Sequence, residues 1–174
     1  MRTEDLVELE RRGTLPEFVL FWGGKKAKGC LSQWHPAPFE VDGVTYPTAE
    51  HYMMAEKARL FGDTAAAEKI LATGDPRRAK ALGRRVTGFD EEVWARERYD
   101  IVVRGNVAKF GAHPRLRDFL LSTTGKVLVE ASPLDTIWGI GLDEHDPAAR
   151  VPSRWRGLNL LGFALMDARD ALAA

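Results

Sequence analysis

The chain has 174 residues, enough for one domain with a sizeable core. Its 25 Lys+Arg balance 25 Asp+Glu, so there is no global basic field for gripping long nucleic acid, and only a local patch remains open. A hydrophobic fraction of 45% with 29% charged residues is that of an ordinary soluble protein, and the lone Cys30 excludes an intrachain disulfide and a cysteine-cluster zinc site.

The N-terminal run MRTEDLVELERRG carries acids early and lacks an apolar h-region, so no secretory signal is expected. No apolar run is long enough to cross a bilayer, and the expected location is the cytoplasm. A short helix over EDLVELERR, a break at Gly13–Pro16 and an N-terminal extension over 1–17 precede a single domain. FVLFW (Phe18–Trp22) has strand propensity and leads into the basic, glycine-rich loop GGKKAKG, where amides and Lys25, Lys26 or Lys28 suit a phosphate or simply face water. PFEVDGVTYP reads as a hairpin turning at Asp42-Gly43.

Helical signals then dominate. Thr48 caps a helix running to about Phe61, and Asp63 caps another that ends at Gly74. Asp75-Pro76 starts RRAKALGRR, and Asp90 opens the longest helical stretch, to Phe110, with two acids in its first turn. Pro114 begins a helix with Leu116, Phe119 and Leu120 on one side, and KVLVEA (Lys126–Ala131) is a short strand. A long Gly/Pro/Trp-rich segment follows, of the kind that more often carries function than not. Asn159–Ala173 closes the chain as an amphipathic helix with Leu161, Ala164, Leu165, Ala168 and Leu172 on one stripe. The expected class is α+β, mostly helical, with a small N-terminal antiparallel sheet.

Within TYPTAEHYMMAEKARLF, Glu50 and Lys57 are seven residues apart, which places them on one helix face, roughly 10 Å apart along the axis. Two readings of the pair stay open: ordinary helix chemistry, or a desolvated carboxylate and amine in a reactive pocket. His51 lacks the second histidine of a zinc helix, because position 55 is Ala55, and no tightly bound metal is expected. No nucleophile elbow, Walker loop or dinucleotide fingerprint occurs, so no cofactor is expected. Trp22, Trp34, Trp138 and Trp155 lie in loops or strand ends, which favours a planar, anionic ligand, whereas Trp94 reads as core.

Four blocks together resemble the NADAR (YbiA-like) family: FW…LSQW (Phe21–Trp34), FEVDGVTYPTAEHYMMAEKA (Phe39–Ala58), DPRRAKALGR (Asp75–Arg84) and LDTIWGIGL…WRGLNLLG (Leu134–Gly162). The resemblance implies an N-glycosidase. Described members cleave ribose phosphate from an aminopyrimidine in early riboflavin-pathway intermediates, and others remove ADP-ribose from guanine bases. The first substrate class is the expected one. The second admits nucleic acid as a partner, and a non-catalytic module that binds nucleotides or ADP-ribose is the reading from another class. No membrane partner is expected.

By motif, the resemblance makes Glu50, Lys57 and Asp135 the catalytic candidates. Trp34 and Trp138 would stack on the base, with Trp22 and Gly139 beside them, and Asn159 would hydrogen-bond the base or ribose. Lys80 and Arg84 would meet phosphate. Gln33 stands where the family usually has asparagine, a departure that bears on substrate choice.

Overall fold

In chain order the elements are α1 (Thr3–Arg11), β1 (Phe18–Phe21), β2 (Phe39–Val41), β3 (Val44–Tyr46), α2 (Ala49–Leu60), α3 (Thr64–Ala72), α4 (Pro76–Gly83), α5 (Glu91–Ala112), α6 (Pro114–Leu121), β4 (Val127–Glu130) and α7 (Leu160–Ala173). This computed structural model describes residues 1–23 and 27–174, so the phosphate candidates Lys25 and Lys26 lie outside the described residues. The mostly helical α+β class holds. The chain divides into two compact units: Met1–Ser32 with Arg115–Ala174, and Gln33–Pro114.

The unit Gln33–Pro114 begins with the antiparallel hairpin β2–β3, in which Phe39 pairs with Tyr46. Asp42 and Gly43 both have positive φ, 51° and 77°, the turn that matches the strands' own twist. The helices start where side-chain oxygens take orphan N–H groups. Thr48 accepts from the His51 N–H at 3.3 Å, Asp75 from Arg77 at 2.9 Å and Asp90 from Val93 at 3.0 Å. Asp63 caps α3 through Ala66 and, with its other oxygen, binds the N–H and hydroxyl of Thr87. α2 is the hub, packed by α3, α4 and α5. Its residues Ala49 to Ala55 are all buried, so it shows no amphipathic stripe.

In the other unit β1 pairs with β4 in parallel, Phe18 opposite Val127 through Phe21 opposite Glu130. Each strand has its expected place in the chain. Their partnership spans more than a hundred residues and has no local signal. α7 packs on β4, with Leu161, Ala164, Leu165 and Ala168 fully buried. Full burial of each leucine is worth about 1.5–3 kcal/mol. The buried Arg169 ties the helix to the turn between α6 and β4 through the carbonyls of Thr123 and Lys126. The stretch 1–17 contributes α1, which is packed in place: Leu6 is fully buried and Glu10 accepts from the Ser153 N–H and hydroxyl. Among the described residues, no helix is long and apolar enough to cross a membrane.

Candidate active site

The N-terminus of α2 sets the position of Glu50. Thr48 is the N-cap, so Glu50 occupies the second helical position, where its N–H has no intrahelical acceptor. The carbonyl of Gln33 supplies one at 3.0 Å. Glu50 is 4% exposed, yet it stands at the positive end of the helix, which favours a negative carboxylate there. His51 beside it is fully buried. Its Nε2 donates to the Thr73 carbonyl at 2.8 Å and its Nδ1 lies 2.7 Å from the Thr48 hydroxyl. Burial pushes its pKa down, partly opposed by the Thr73 bond and by Asp75, so the imidazole is a neutral strut of the helix start. Among the described residues, no three His, Cys, Asp or Glu side chains converge as metal ligands.

Two turns further, the Lys57 ammonium lies over the Phe89 ring, 4.6 Å from its centroid, and 5.3 Å from that of Trp94. Burial pushes its pKa down, Glu91 and Glu50 pull it up, and Arg84 adds a further downward push. Lys57, Glu50 and Arg84 thus belong to one electrostatic group. Arg84 reaches it because Gly83 has no side chain: a Cβ there would overlap Met54 of α2. Arg84 itself is exposed and Lys80, one turn earlier on α4, is half-buried. Trp34, next to Gln33, is 38% exposed.

Phe89 and Trp94 have a place beside Lys57 that the sequence reading missed. Trp94 is buried, as expected of core, but its ring also borders the amine. No local pattern announces this, because α2 and α5 meet only through tertiary packing.

Within the other unit, Asp135 closes a tight loop. Its Oδ1 accepts from the N–H groups of Ile137 at 2.9 Å and Trp138 at 2.8 Å, and its carbonyl accepts from Gly141. The two halves of the fourth motif block are then laced together. The carbonyls of Thr136, Ile137, Trp138 and Gly139 accept from Leu158, Leu160, Leu161 and Asn159 respectively. Gly139 is buried, and the half-buried Trp138 indole is held by backbone bonds on both sides of its own peptide unit.

Asn159 is fully buried. Its Oδ1 accepts from Glu130 N–H at 2.9 Å and its Nδ2 donates to the Leu128 carbonyl at 3.0 Å. Both ends of its amide therefore fasten the start of α7 to β4. Trp22, at the end of β1, is 54% exposed. Lys28 donates to the Leu20 carbonyl at 2.6 Å and faces Glu144 at 3.7 Å, so its ammonium is engaged within this unit. Trp155 is tied as well, with its indole N–H on the Ala149 carbonyl and its ring against Phe18.

Comparison with known proteins gives these residues a context. The NADAR domain model matches residues 20–173. An N-glycosidase of Acanthamoeba polyphaga mimivirus is 41% identical over 162 residues, covering 88% of this chain and 95% of the relative. The chloroplastic riboflavin biosynthesis protein PYRR of Zea mays is 35% identical over 156 residues, covering 83% of this chain but 23% of that longer protein. The NMR structure of YbiA from E. coli superposes with a TM-score of 0.75 at 31% identity, covering 91% of this chain and 86% of the other.

Proposed function

The chain belongs to the NADAR family, and from that premise we propose that it is an N-glycosidase hydrolysing the bond between ribose C1 and a nitrogen of a heterocyclic base. The observation that carries this reading is the buried Glu50 carboxylate at the positive end of α2, in a chain 41% identical to a protein named an N-glycosidase. The substrate class is a ribosylaminopyrimidine phosphate. The resemblance to a riboflavin biosynthesis protein and the neutral net charge both favour such a small molecule over a polynucleotide. The single thiol, Cys30, is buried and suits a reducing cytoplasm.

Cleavage of the C1–N bond leaves its electron pair on the base nitrogen, which takes up a proton, and builds positive charge on C1 and the ring oxygen. Glu50 stabilises that charge and accepts a proton from the water attacking C1. By the family motif Asp135 is the second carboxylate, as an acid/base or as an orienter, and its Oδ1 shapes its own loop. Trp138 and Trp34 offer planes for the base, and Arg84 and Lys80 offer charge for the phosphate. Trp22, Gly139 and Asn159 complete the motif positions; Asn159 acts by holding β4 against α7.

Lys57 opens a covalent variant of the same hydrolysis. A glycosylamine ring-opens to an imine, a neutral Lys57 amine adds to C1, the base leaves as its free amine, and water releases the sugar. Borohydride added during turnover should then leave a mass adduct at Lys57, and an unchanged intact mass removes the covalent route.

Incubation with a ribosylaminopyrimidine phosphate, with release of ribose phosphate followed over time, tests the reading. Glu50→Gln should lower kcat by at least about a hundredfold while the protein still melts cooperatively. ADP-ribosylated guanine, tested in parallel, is the rival substrate of the same chemistry. Binding of either compound without turnover, unaltered by Glu50→Gln, would identify a non-catalytic module.

A further inference from the structure

Glu50 sits in an unusual helix start. Its backbone is held by Gln33, a residue seventeen positions away, through the Glu50 N–H and the Gln33 carbonyl at 3.0 Å. Gln33 is in turn held by Asn106 of α5, whose Nδ2 donates to Gln33 Oε1 at 3.0 Å. The same Nδ2 donates its other hydrogen to the Val102 carbonyl at 2.9 Å, one turn back on its own helix. Asn106 has no exposed surface and Gln33 has 9%, so water does not compete for these bonds. Next to Asn106, Gly105 carries the Tyr52 ring of α2 against the α5 backbone. α5 therefore engages the site at two consecutive residues, one bearing on α2 directly and one through Gln33.

We propose that Gln33 and Asn106 are positioning residues that set where the Glu50 carboxylate stands against the ribose. The inference rests on Glu50 being the catalytic carboxylate. Asn106 touches no substrate and acts only through Gln33, which acts through the backbone of α2. The length of the pair matters. Gln33→Asn withdraws the amide by one methylene, so it either breaks the bond to Asn106 or draws the 33–34 backbone toward α5. In the second case the Glu50 N–H follows its acceptor. A displacement of the order of an ångström at a reacting group costs up to about a hundredfold in rate. Gln33 is also followed directly by the exposed Trp34, so the same movement shifts that aromatic plane.

Four variants of the full chain test this with a ribosylaminopyrimidine phosphate as the probe: Glu50→Gln, Asn106→Leu, Gln33→Asn, and the exchange Gln33→Asn with Asn106→Gln. The exchange preserves the combined length of the two side chains and their amide chemistry. Asn106→Leu and Gln33→Asn should each lower kcat by about ten- to a hundredfold with KM within about threefold. The exchange should recover most of the lost kcat. The rescue is the readout that a merely stabilising role does not predict, because it restores geometry rather than hydrophobic volume.

Equal kcat in a cooperatively melting Asn106→Leu and the native chain would overturn the proposal. So would an exchange variant that melts like the native chain but stays as slow as Gln33→Asn. If Asn106→Leu does not fold, Gln33→Asn and the exchange carry the decision. Full activity of Glu50→Gln marks failure of the catalytic assignment itself. Loss in Glu50→Gln with none in Gln33→Asn or Asn106→Leu marks failure of the positioning role alone.

Discussion

Lys57 is held between opposing influences, and they give it a testable signature. Burial pushes its pKa below the usual lysine value, Glu91 and Glu50 oppose that push, and Arg84 reinforces it. The Phe89 and Trp94 rings attract the charged form, so the ammonium is disfavoured by lost water and favoured by π faces. Removing a negative neighbour should lower the pKa further, and removing a positive one should raise it. The limb of the kcat/KM profile that reports Lys57 should therefore move to lower pH in Glu91→Gln and to higher pH in Arg84→Ala. The sign of the limb assigns the role. Attack on C1 needs the neutral amine, so activity rises with pH through the Lys57 pKa. An electrostatic role needs the ammonium, so activity falls there. A limb that stays in place in Glu91→Gln would show that Lys57 does not produce it.

At the scale of elements, the starts of helices were the most legible feature. Thr48, Asp63, Asp75 and Asp90 each cap the helix expected of them, because capping is a matter of one side chain and the next three N–H groups. The hairpin at Asp42-Gly43 was equally local. What stayed hidden was every partnership between distant segments: β1 with β4, Gln33 with Asn106, Lys57 with Phe89 and Trp94. The candidate site shows the same division. Glu50 and Lys57 were found from helix spacing and a family motif, while the groups that hold or tune them come from elsewhere in the chain. α4 lies so near α2 that Gly83 has no room for a methyl group beside Met54. Gly83→Ala should lower stability by about 1–3 kcal/mol, read as a melting midpoint several degrees lower. It should also weaken the influence of Arg84 on Lys57, moving the Lys57 limb to higher pH as Arg84→Ala does. An unchanged midpoint would mean that Met54 swings aside without cost.

For the molecule as a whole, charge decides which partners are affordable. The formal net charge is zero, and exposed basic groups gather on α4 and its end at Arg77, Arg78, Arg84 and Arg85. A polynucleotide gripped through many phosphates releases counterions, and its binding falls by orders of magnitude as salt rises. The proposed small substrate with one phosphate would meet only one or two of these side chains, whose exposed charges are only partly screened at physiological ionic strength. Turnover of a ribosylaminopyrimidine phosphate should therefore change by less than about fivefold in kcat/KM between 50 and 200 mM salt, with the change confined to KM. If Arg84 binds the phosphate as proposed, Arg84→Ala should raise KM and flatten that dependence, because the variant would lose a screened charge contact while the Glu50 carboxylate stays in place. A steep fall of kcat/KM with salt, abolished by neutralising Arg77 and Arg78, would instead assign the α4 surface to a polyanionic substrate. Low net charge would then have concealed a groove whose basic side chains are balanced by acids elsewhere on the chain.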